Sequence, residues 1–318
     1  MANTTPAAPA NIKTRFLVLS DTHGLDRLPN SITAQRADVA IHCGDLTTES
    51  KIDEYQASLR LLRAIDAPLK LVIAGNHDFT LDTPVFQKKL AEARPPLDPQ
   101  LVAKTYGDYG DARKLFSEQK DRHGADITFL DEGAHYFKLQ NGALLSVYAS
   151  PYTPSLGDWG FQYHPAHGHD FSIPQVDVVM THGPPKGIFD YTDSGGRAGC
   201  PDLFAAVSRA RPRLHCFGHI HEGWGAKLVT WRQKINDQPS HLTDIDHGKS
   251  VLVDKLSNVA NNPELRHLIK CATTSHCSGD PNPLEWRSQT LFVNASIEGT
   301  EDFPLQPPWL IDLELPAQ

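Results

Sequence analysis

The sequence predicts an α/β fold built on a sheet that mixes parallel and antiparallel strands. Short β-rich apolar runs recur along the chain, and most end in polar or glycine-containing motifs, a pattern typical of buried strands. Between the second and third runs, apolar residues recur at helical spacing. Asn141-Gly142, between two further apolar runs, is a strong hairpin-turn signal. Strands alternating with a helix favour parallel pairing, and the hairpin adds an antiparallel pair.

Five apolar runs carry the polar motifs. In chain order they are RFLVLSDTHG, DVAIHCGD, LKLVIAGNHD, VDVVMTHGPP and RLHCFGHIHEG. An amphipathic helix is predicted over Ser50 to Ile65, where Ile52, Tyr55, Leu59 and Leu62 share one face. The hairpin lies within HYFKLQNGALLSVYASP, and TLFVNAS is expected to form a closing strand.

A single domain is predicted for residues 14–318, after a disordered leader over residues 1–13. The leader is small, polar and proline-containing, without the basic and apolar regions of a signal peptide. Residues 233–287 carry scattered charges, Asn and Pro, with short helical runs such as Glu264 to Lys270. We therefore expect this segment to be an insertion before the closing strand.

Composition restricts the partners that the protein could have. Thirty basic against thirty-eight acidic residues give a formal net charge of −8, which argues against a surface that grips extended nucleic acid. No apolar stretch approaches the ~20 residues that cross a bilayer. Five cysteines without C-x-x-C spacing argue against a disulfide framework. We expect a soluble, cytoplasmic protein without a membrane partner, and the sequence indicates no oligomeric state.

Polar side chains follow five of the predicted strands, where ligands bind in open α/β sheets. In chain order these residues are Asp21, His23, Asp45, Asn76, His77, His182, His219 and His221. Each has another interpretation by itself, because Asp and Asn commonly cap helices or form turns. Together, after five buried runs, they predict one shared metal site.

The two histidines of GHIH are predicted to aim at one point. In an extended segment alternate side chains point the same way, so His219 and His221 would face the site while Ile220 faces away.

With these motifs the chain resembles the calcineurin-like metallophosphoesterase superfamily, from Phe16 to about Gly225 and over the final strands. The shared motifs are D-x-H, GD, GNHD, a later His and GHxH. SDTHG, HCGDLT, MTHGPP and GHIHEGWG are similar to the metallophosphoesterase-domain branch, some animal members of which carry Gly at the position of His219. The resemblance implies a mixed-sheet β-sandwich flanked by helices, in four αββα layers.

The resemblance also implies two divalent metal ions. Asp21, His23 and His221 would hold the first ion, Asn76, His182 and His219 the second, and Asp45 would bridge them. These donors suit borderline or harder ions, and we expect Mn²⁺, with Fe²⁺ or Zn²⁺ as alternatives. Two such ions can hold a bridging hydroxide that attacks a phosphoryl group in line.

His77 follows a predicted ligand and is expected to act on the substrate, by contacting a phosphate oxygen or protonating the leaving alkoxide. Asp78 is expected to orient the His77 ring, with a turn residue as the alternative. The predicted function is hydrolysis of small phosphodiesters, with cyclic or other nucleotides as candidate substrates. A phosphomonoesterase or protein phosphatase, and a non-catalytic nucleotide-binding module, are the alternatives.

Several other residues leave two interpretations open. His42 is expected to be a core histidine or one that orients a ligand. The remaining candidates are a solvated loop or metal tract at His164, His167 and His169, and a surface insertion or zinc cluster at His267, Cys271, His276 and Cys277. Trp159 and Trp224 could stack on a nucleobase or pack against the protein.

Overall fold

A computed structural model describes residues 11–117, 126–260, 270–300 and 303–318. A six-stranded sheet has the spatial order β13 (Ala272–Ser275), β17 (Trp309–Pro316), β1 (Asn11–Leu19), β2 (Val39–His42), β3 (Leu69–Val72) and β4 (Asp126–Phe129). β1 to β4 pair in parallel, and β17 runs antiparallel to β1. The mixed pairing predicted from the sequence is confirmed in this sheet.

The second sheet has seven strands. Their spatial order is β12 (Val251–Lys255), β11 (Gly225–Thr230), β14 (Gln289–Asn294), β10 (Leu214–Phe217), β9 (Val178–Thr181), β6 (Leu144–Ser150) and β5 (Gly133–Lys138). β6, β9, β10 and β14 are parallel neighbours. β5 and β6 form the predicted hairpin, and Gly142 in its turn has a φ of +88°, which glycine adopts without steric cost.

Shorter elements complete the chain. The helices are α1 (Asn30–Thr33), α2 (Ile52–Ala64), α3 (Thr83–Glu92), α4 (Pro99–Tyr106), α5 (Asp111–Ser117), α6 (Pro201–Ala210) and α7 (Leu256–Ala260). Two short ladders pair β7 (Thr153–Pro154) with β8 (Gln162–Tyr163), and β15 (Glu298–Thr300) with β16 (Phe303–Leu305). No helix in the described part of the chain is long and apolar enough to span a membrane.

Three apolar clusters define four layers. Alternate residues of β1, such as Phe16 and Val18, join residues of the second sheet in a core between the sheets. Leu17 and Leu19 point the other way and pack with α2 and α5. α6 covers the outer face of the seven-stranded sheet. Because both faces of the second half of β1 are buried, Phe16 to Leu19 form a continuous apolar run. The predicted αββα sandwich is confirmed.

Residues 11–13 and the predicted insertion both contribute strands to the sheets. β1 begins at Asn11, so residues 11–13 of the predicted leader belong to a strand that pairs with the end of β17. The predicted insertion supplies β12 and β13, which are edge strands of the two sheets. It is therefore integrated into the sandwich rather than separate from it. Residues 264–269 of the expected helical run lie outside the described residues.

Candidate metal centre

The carboxyl ends of five parallel strands from both sheets bring the predicted site residues together. Asp21 and His23 follow β1, Asp45 follows β2, Asn76 and His77 follow β3, His182 follows β9, and His219 and His221 follow β10. Sheets packed face to face lie ~10 Å apart, so side chains from both can meet in the space between their ends.

Potential ligand atoms form groups that contain most of the predicted metal ligands. Asp21, His23 and His221 form one group, and Asp45, His182 and His219 form the other, with the ligand atoms of each group within 4.8 Å of one another. Asn76 adjoins the second group, since its Oδ1 lies 2.9 Å from His182 Nε2. A further combination joins His77 to His23 and Asp45, so the role of His77 stays a prediction.

The Asp45 carboxylate lies between the two groups. Its Oδ2 is 3.4 Å from His182 Nε2 and 3.8 Å from His23 Nε2. Its Oδ1 accepts a hydrogen bond from the His77 backbone N–H at 2.8 Å. The backbone therefore fixes the carboxylate where a bridging ligand would have to lie.

Backbone carbonyls orient two of the imidazole rings expected to bind metal. His23 Nδ1 donates to Thr47 O at 3.1 Å, and His182 Nδ1 donates to Cys43 O at 2.9 Å. With the proton on Nδ1, Nε2 of each ring carries the lone pair that can bind a cation. His23 Nε2 is buried and makes no hydrogen bond, although Glu298 Oε2 lies 2.9 Å away. A buried, unbonded acceptor between carboxylates fits a divalent cation.

The pKa shifts agree with a site that favours positive charge. Burial raises the pKa of Asp45, but contact with His182 outweighs it and lowers the value to about 2. Burial lowers the pKa of His182, but Asp45 and Asp21 outweigh it and raise the value to about 9. Burial lowers the pKa of His219 to about 4, which leaves this ring neutral, as a metal ligand must be.

The backbone of the GHIH turn differs from the prediction, although His219 and His221 both belong to groups of potential ligands at the site. His219 has a φ of +67°, and His221 begins a short 3₁₀ helix, His221–Gly223. The prediction of an extended segment with alternating side chains is therefore wrong. The His219 N–H donates to both Asp21 carboxylate oxygens, at 3.0 and 3.1 Å, so the turn is held against the strand-end loop of the other sheet.

Left-handed backbone recurs in the site. Asp21, His23 and Asp45 have φ values of 57°, 42° and 53°. Non-glycine residues seldom adopt such values, although Asp and His do so more readily than most. Strain of this kind persists where surrounding contacts enforce it, as at functional sites.

Asp78 does not orient the His77 ring, contrary to the prediction. Its fully buried carboxylate accepts hydrogen bonds from the backbone N–H groups of Leu46, Thr47 and Gly75, and from the Thr47 hydroxyl. Burial and the nearby Asp45 raise the pKa of Asp78 to about 7. Asp78 joins the loops after β2 and β3, while the Thr48 carbonyl accepts from His77 Nδ1 at 2.7 Å.

Trp159 packs against the site, whereas Trp224 is part of the core. The Trp159 ring lies on that of His77, with centroids 4.3 Å apart, and Gly160 N donates to Asn76 O. Trp224 is 1% exposed and stacks on Trp309 with centroids 4.8 Å apart. Trp224 is thus unavailable to a nucleobase, and Trp159 supports His77.

Contacts describe the surroundings of the remaining candidate residues. His42 is buried and contacts Thr22 Oγ1 at 3.0 Å, next to the site loop, and burial lowers its pKa to about 4. His169 stacks on Tyr152 and contacts Glu132. Within the described ranges, neither the His164–His169 tract nor Cys271, His276 and Cys277 forms a group of potential metal ligands. His267 lies outside these ranges.

Glu298 is the site residue that the sequence reasoning missed. Its Oε2 lies 2.9 Å from His23 Nε2 and 3.5 Å from His221 Nδ1. The close contact with the His23 ring lowers the pKa of Glu298, so this carboxylate is ionised near neutral pH. The one available signal was its position four residues beyond β14, a strand that runs parallel to β10.

Comparison with known proteins identifies the family to which the chain is similar. The calcineurin-like phosphoesterase family model matches residues 14–223. The chain is 32% identical to human metallophosphoesterase domain-containing protein 1 over 67% of this chain and 62% of that protein. It is 31% identical to UPF0046 protein T07D4.2 of Caenorhabditis elegans, over 73% of this chain and 57% of that protein.

A third relative is much longer. The chain is 31% identical to a probable rhamnogalacturonate lyase C of Emericella nidulans over 68% of this chain and 18% of that protein. The chain therefore spans less than two thirds of the length of each of these relatives.

Gly75→Ala tests whether close approach of the loops shapes the centre. The added Cβ would overlap the Asp45 carboxylate and backbone nitrogen and lie 2.7 Å from the His182 ring. We expect Mn²⁺ affinity, measured by calorimetric titration, to fall at least about 10-fold, by analogy with the loss of supporting contacts in metal sites. Gly196→Ala is the control, because its nearest atoms lie 3.9 Å from the added Cβ. Equal affinities in the two variants would contradict this account.

Proposed function

The chain belongs to the calcineurin-like phosphoesterase family, and we propose that it hydrolyses small phosphodiesters, including cyclic or other nucleotides, with two divalent ions. Family membership supports a metal-dependent phosphoester hydrolase. The observation that carries the two-ion proposal is the position of Asp45 between two groups of potential ligands. A carboxylate within reach of both groups is what two neighbouring ions share in such centres.

The residues present fit this role. Asp21, His23 and His221 would hold one ion, Asn76, His182 and His219 the other, and Asp45 would belong to both. When bound, such ions lower the pKa of water and compensate charge on phosphoryl oxygens. We propose Mn²⁺, with Fe²⁺ or Zn²⁺ as alternatives, because carboxylate and amide oxygens accompany the imidazoles.

His77 is proposed to assist departure of the leaving group. Its Nδ1 is committed to the Thr48 carbonyl, so Nε2 is the atom available for substrate. Trp159 packs on one face of the ring, and the His23 ring meets it edge-on at 4.9 Å. A ring held in this way can present a proton to an alkoxide with little loss of rotational freedom.

The proposed partners and location follow from charge and cysteine chemistry. A net charge of −8 favours small phosphoesters over extended nucleic acid. All five cysteines are free, which is typical of proteins in a reducing compartment. We therefore propose a cytoplasmic enzyme that acts on small substrates without a membrane partner.

A substrate and metal panel tests the proposed function. The purified protein would be stripped with chelator, supplied with Mn²⁺, Fe²⁺ or Zn²⁺, and assayed with bis-p-nitrophenyl phosphate and p-nitrophenyl phosphate. We expect Mn²⁺ to restore turnover, with the higher kcat/KM for the diester. Preference for the monoester would support a phosphomonoesterase. Inactivity with all three ions, with nucleotide binding retained, would support a binding module.

Asp45→Asn should lower both metal content and turnover. The neutral amide can still accept from the His77 N–H, but it lacks the charge that binds two cations. We expect kcat to fall at least about 100-fold, with fewer than two ions per chain by elemental analysis. Asp237→Asn, at an exposed position after β11, is the matched control. Full occupancy with normal turnover in Asp45→Asn would exclude the bridging role.

His77→Ala should retain metal and lose turnover in a way that depends on the leaving group. Loss of a general acid typically costs ~10² to 10⁴ in rate, and we expect that loss for cyclic AMP, whose leaving group is an alkoxide. The loss should be smaller for bis-p-nitrophenyl phosphate, because p-nitrophenolate departs without a proton. A variant that loses its metal would show instead that His77 is a ligand.

A further inference from the structure

A cleft of about 660 Å³ opens beside the centre, and most of its lining residues have no role in the proposed chemistry. Asp21 and His23 are the lining residues that it shares with the centre. Its walls are largely apolar and are built by Leu25, Leu28, Pro29, Ile297, Pro304 and Leu305. Apolar walls of this extent bind carbon-rich groups and offer no hydrogen bonds to a terminal phosphate oxygen.

Glu298 borders both the cleft and the centre. It lines the cleft, and its carboxylate lies 2.9 Å from His23 Nε2. Backbone hydrogen bonds place it there, because Ile297 N donates to Ser20 O and Gln306 N donates to Ile297 O, both at 2.9 Å. The side chain is 46% exposed, so a substrate at the centre would meet its charge directly.

That charge acts differently on the two classes of phosphoester. A phosphodiester carries one negative charge near neutral pH, whereas a monoester carries nearly two, since its second pKa is ~6. A fixed carboxylate repels the second charge. Arg27 is the single Lys or Arg among the described residues that line the cleft, and its side chain is 88% exposed, so solvent screens its charge.

The cleft lies apart from the residue proposed to protonate the leaving group. Neither His77 nor Trp159 is among its described lining residues. The group that departs near His77 therefore does not occupy the cleft, which leaves the cleft for the substituent that remains on phosphorus.

Resting on the proposed function, we propose that this cleft binds the apolar or aromatic group retained by a phosphodiester, and that Glu298 selects against the second charge of a monoester. The cleft favours a phosphodiester because it buries the carbon substituent on the esterified oxygen. Glu298 disfavours a monoester because its carboxylate repels the second ionised phosphate oxygen.

Three substrates with one leaving group test this proposal. They are p-nitrophenyl phosphate, methyl p-nitrophenyl phosphate and phenyl p-nitrophenyl phosphate, which differ only in the substituent retained on phosphorus. The parent protein should prefer the phenyl diester to the methyl diester, and both to the monoester. If the protein hydrolyses none of the three substrates, the result would count against the proposed function itself. A preference for the monoester would also count against the proposed function. Hydrolysis of both diesters in preference to the monoester, without preference for the phenyl diester, would count against the cleft alone.

Glu298→Gln should raise kcat/KM for the monoester about tenfold relative to the methyl diester, because one repulsive charge is removed from a half-exposed position. Glu285→Gln removes the same charge before the opposite end of β14 and should leave the ratio unchanged. Metal content is measured alongside. An unchanged ratio, or loss of metal from Glu298→Gln, would overturn the role assigned to this residue.

Leu25→Ala should lower kcat/KM for the phenyl diester about three- to tenfold, because less apolar surface is buried on binding. The methyl diester and the monoester should be little affected. Leu101→Ala, at a position on α4 that is 59% exposed, is the control. Leu305→Ala alters the wall from β16 and replaces Leu25→Ala if that variant is unstable. Equal losses for all three substrates would contradict binding of the retained group in the cleft.

Discussion

The buried carboxylate of Asp78 is the constraint on which the centre depends. Its hydrogen bonds from Leu46, Thr47 and Gly75 tie the loop after β2 to the loop after β3. The first of these loops, residues 43–48, then accepts hydrogen bonds from the rings of His182, His23 and His77 through the carbonyls of Cys43, Thr47 and Thr48. One loop therefore orients imidazoles that come from three strands of two sheets. Without its hydrogen bonds to Asp78, this loop would no longer hold its carbonyls in position to accept from the three rings.

Glycine makes the close approach of these loops possible. A Cβ on Gly75 would overlap Asp45, and a Cβ on Gly218 would overlap the Asp21 carboxylate and the Ser20 side chain. The glycines of the GNHD and GHIH motifs therefore let one loop lie directly against the carboxylate of another. The loops turn sharply directly after their strands, and this accompanies the positive φ values at Asp21, Asp45 and His219.

The strands and the positions of their polar ends could be predicted because buried parallel strands leave a local signal, the continuous apolar run. Asp21, Asp45 and His182 were located in that way. The conformation of GHIH could not be predicted in this way, because the φ of His219 depends on the Asp21 carboxylate, 198 residues away in sequence. Asp78 looked like a partner of its neighbour His77, yet its partners lie in another loop. Glu298 follows β14 without periodicity, and its role depends on the pairing of Ile297 with Ser20.

The centre spans the gap between two sheets, and this links the apolar core to the chemistry. The six-stranded sheet carries Asp21, His23, Asp45 and Asn76, and the seven-stranded sheet carries His182, His219 and His221. The distance between these sets is determined by side chains between the sheets, such as Val18, Ile41 and Cys216, because protein interiors are close-packed and transmit small displacements. Hydrogen bonds from His182 to Cys43 and from His219 to Asp21 lock the sheets together at the site. The core between the sheets thus acts as a spacer for the two donor groups as well as the source of stability.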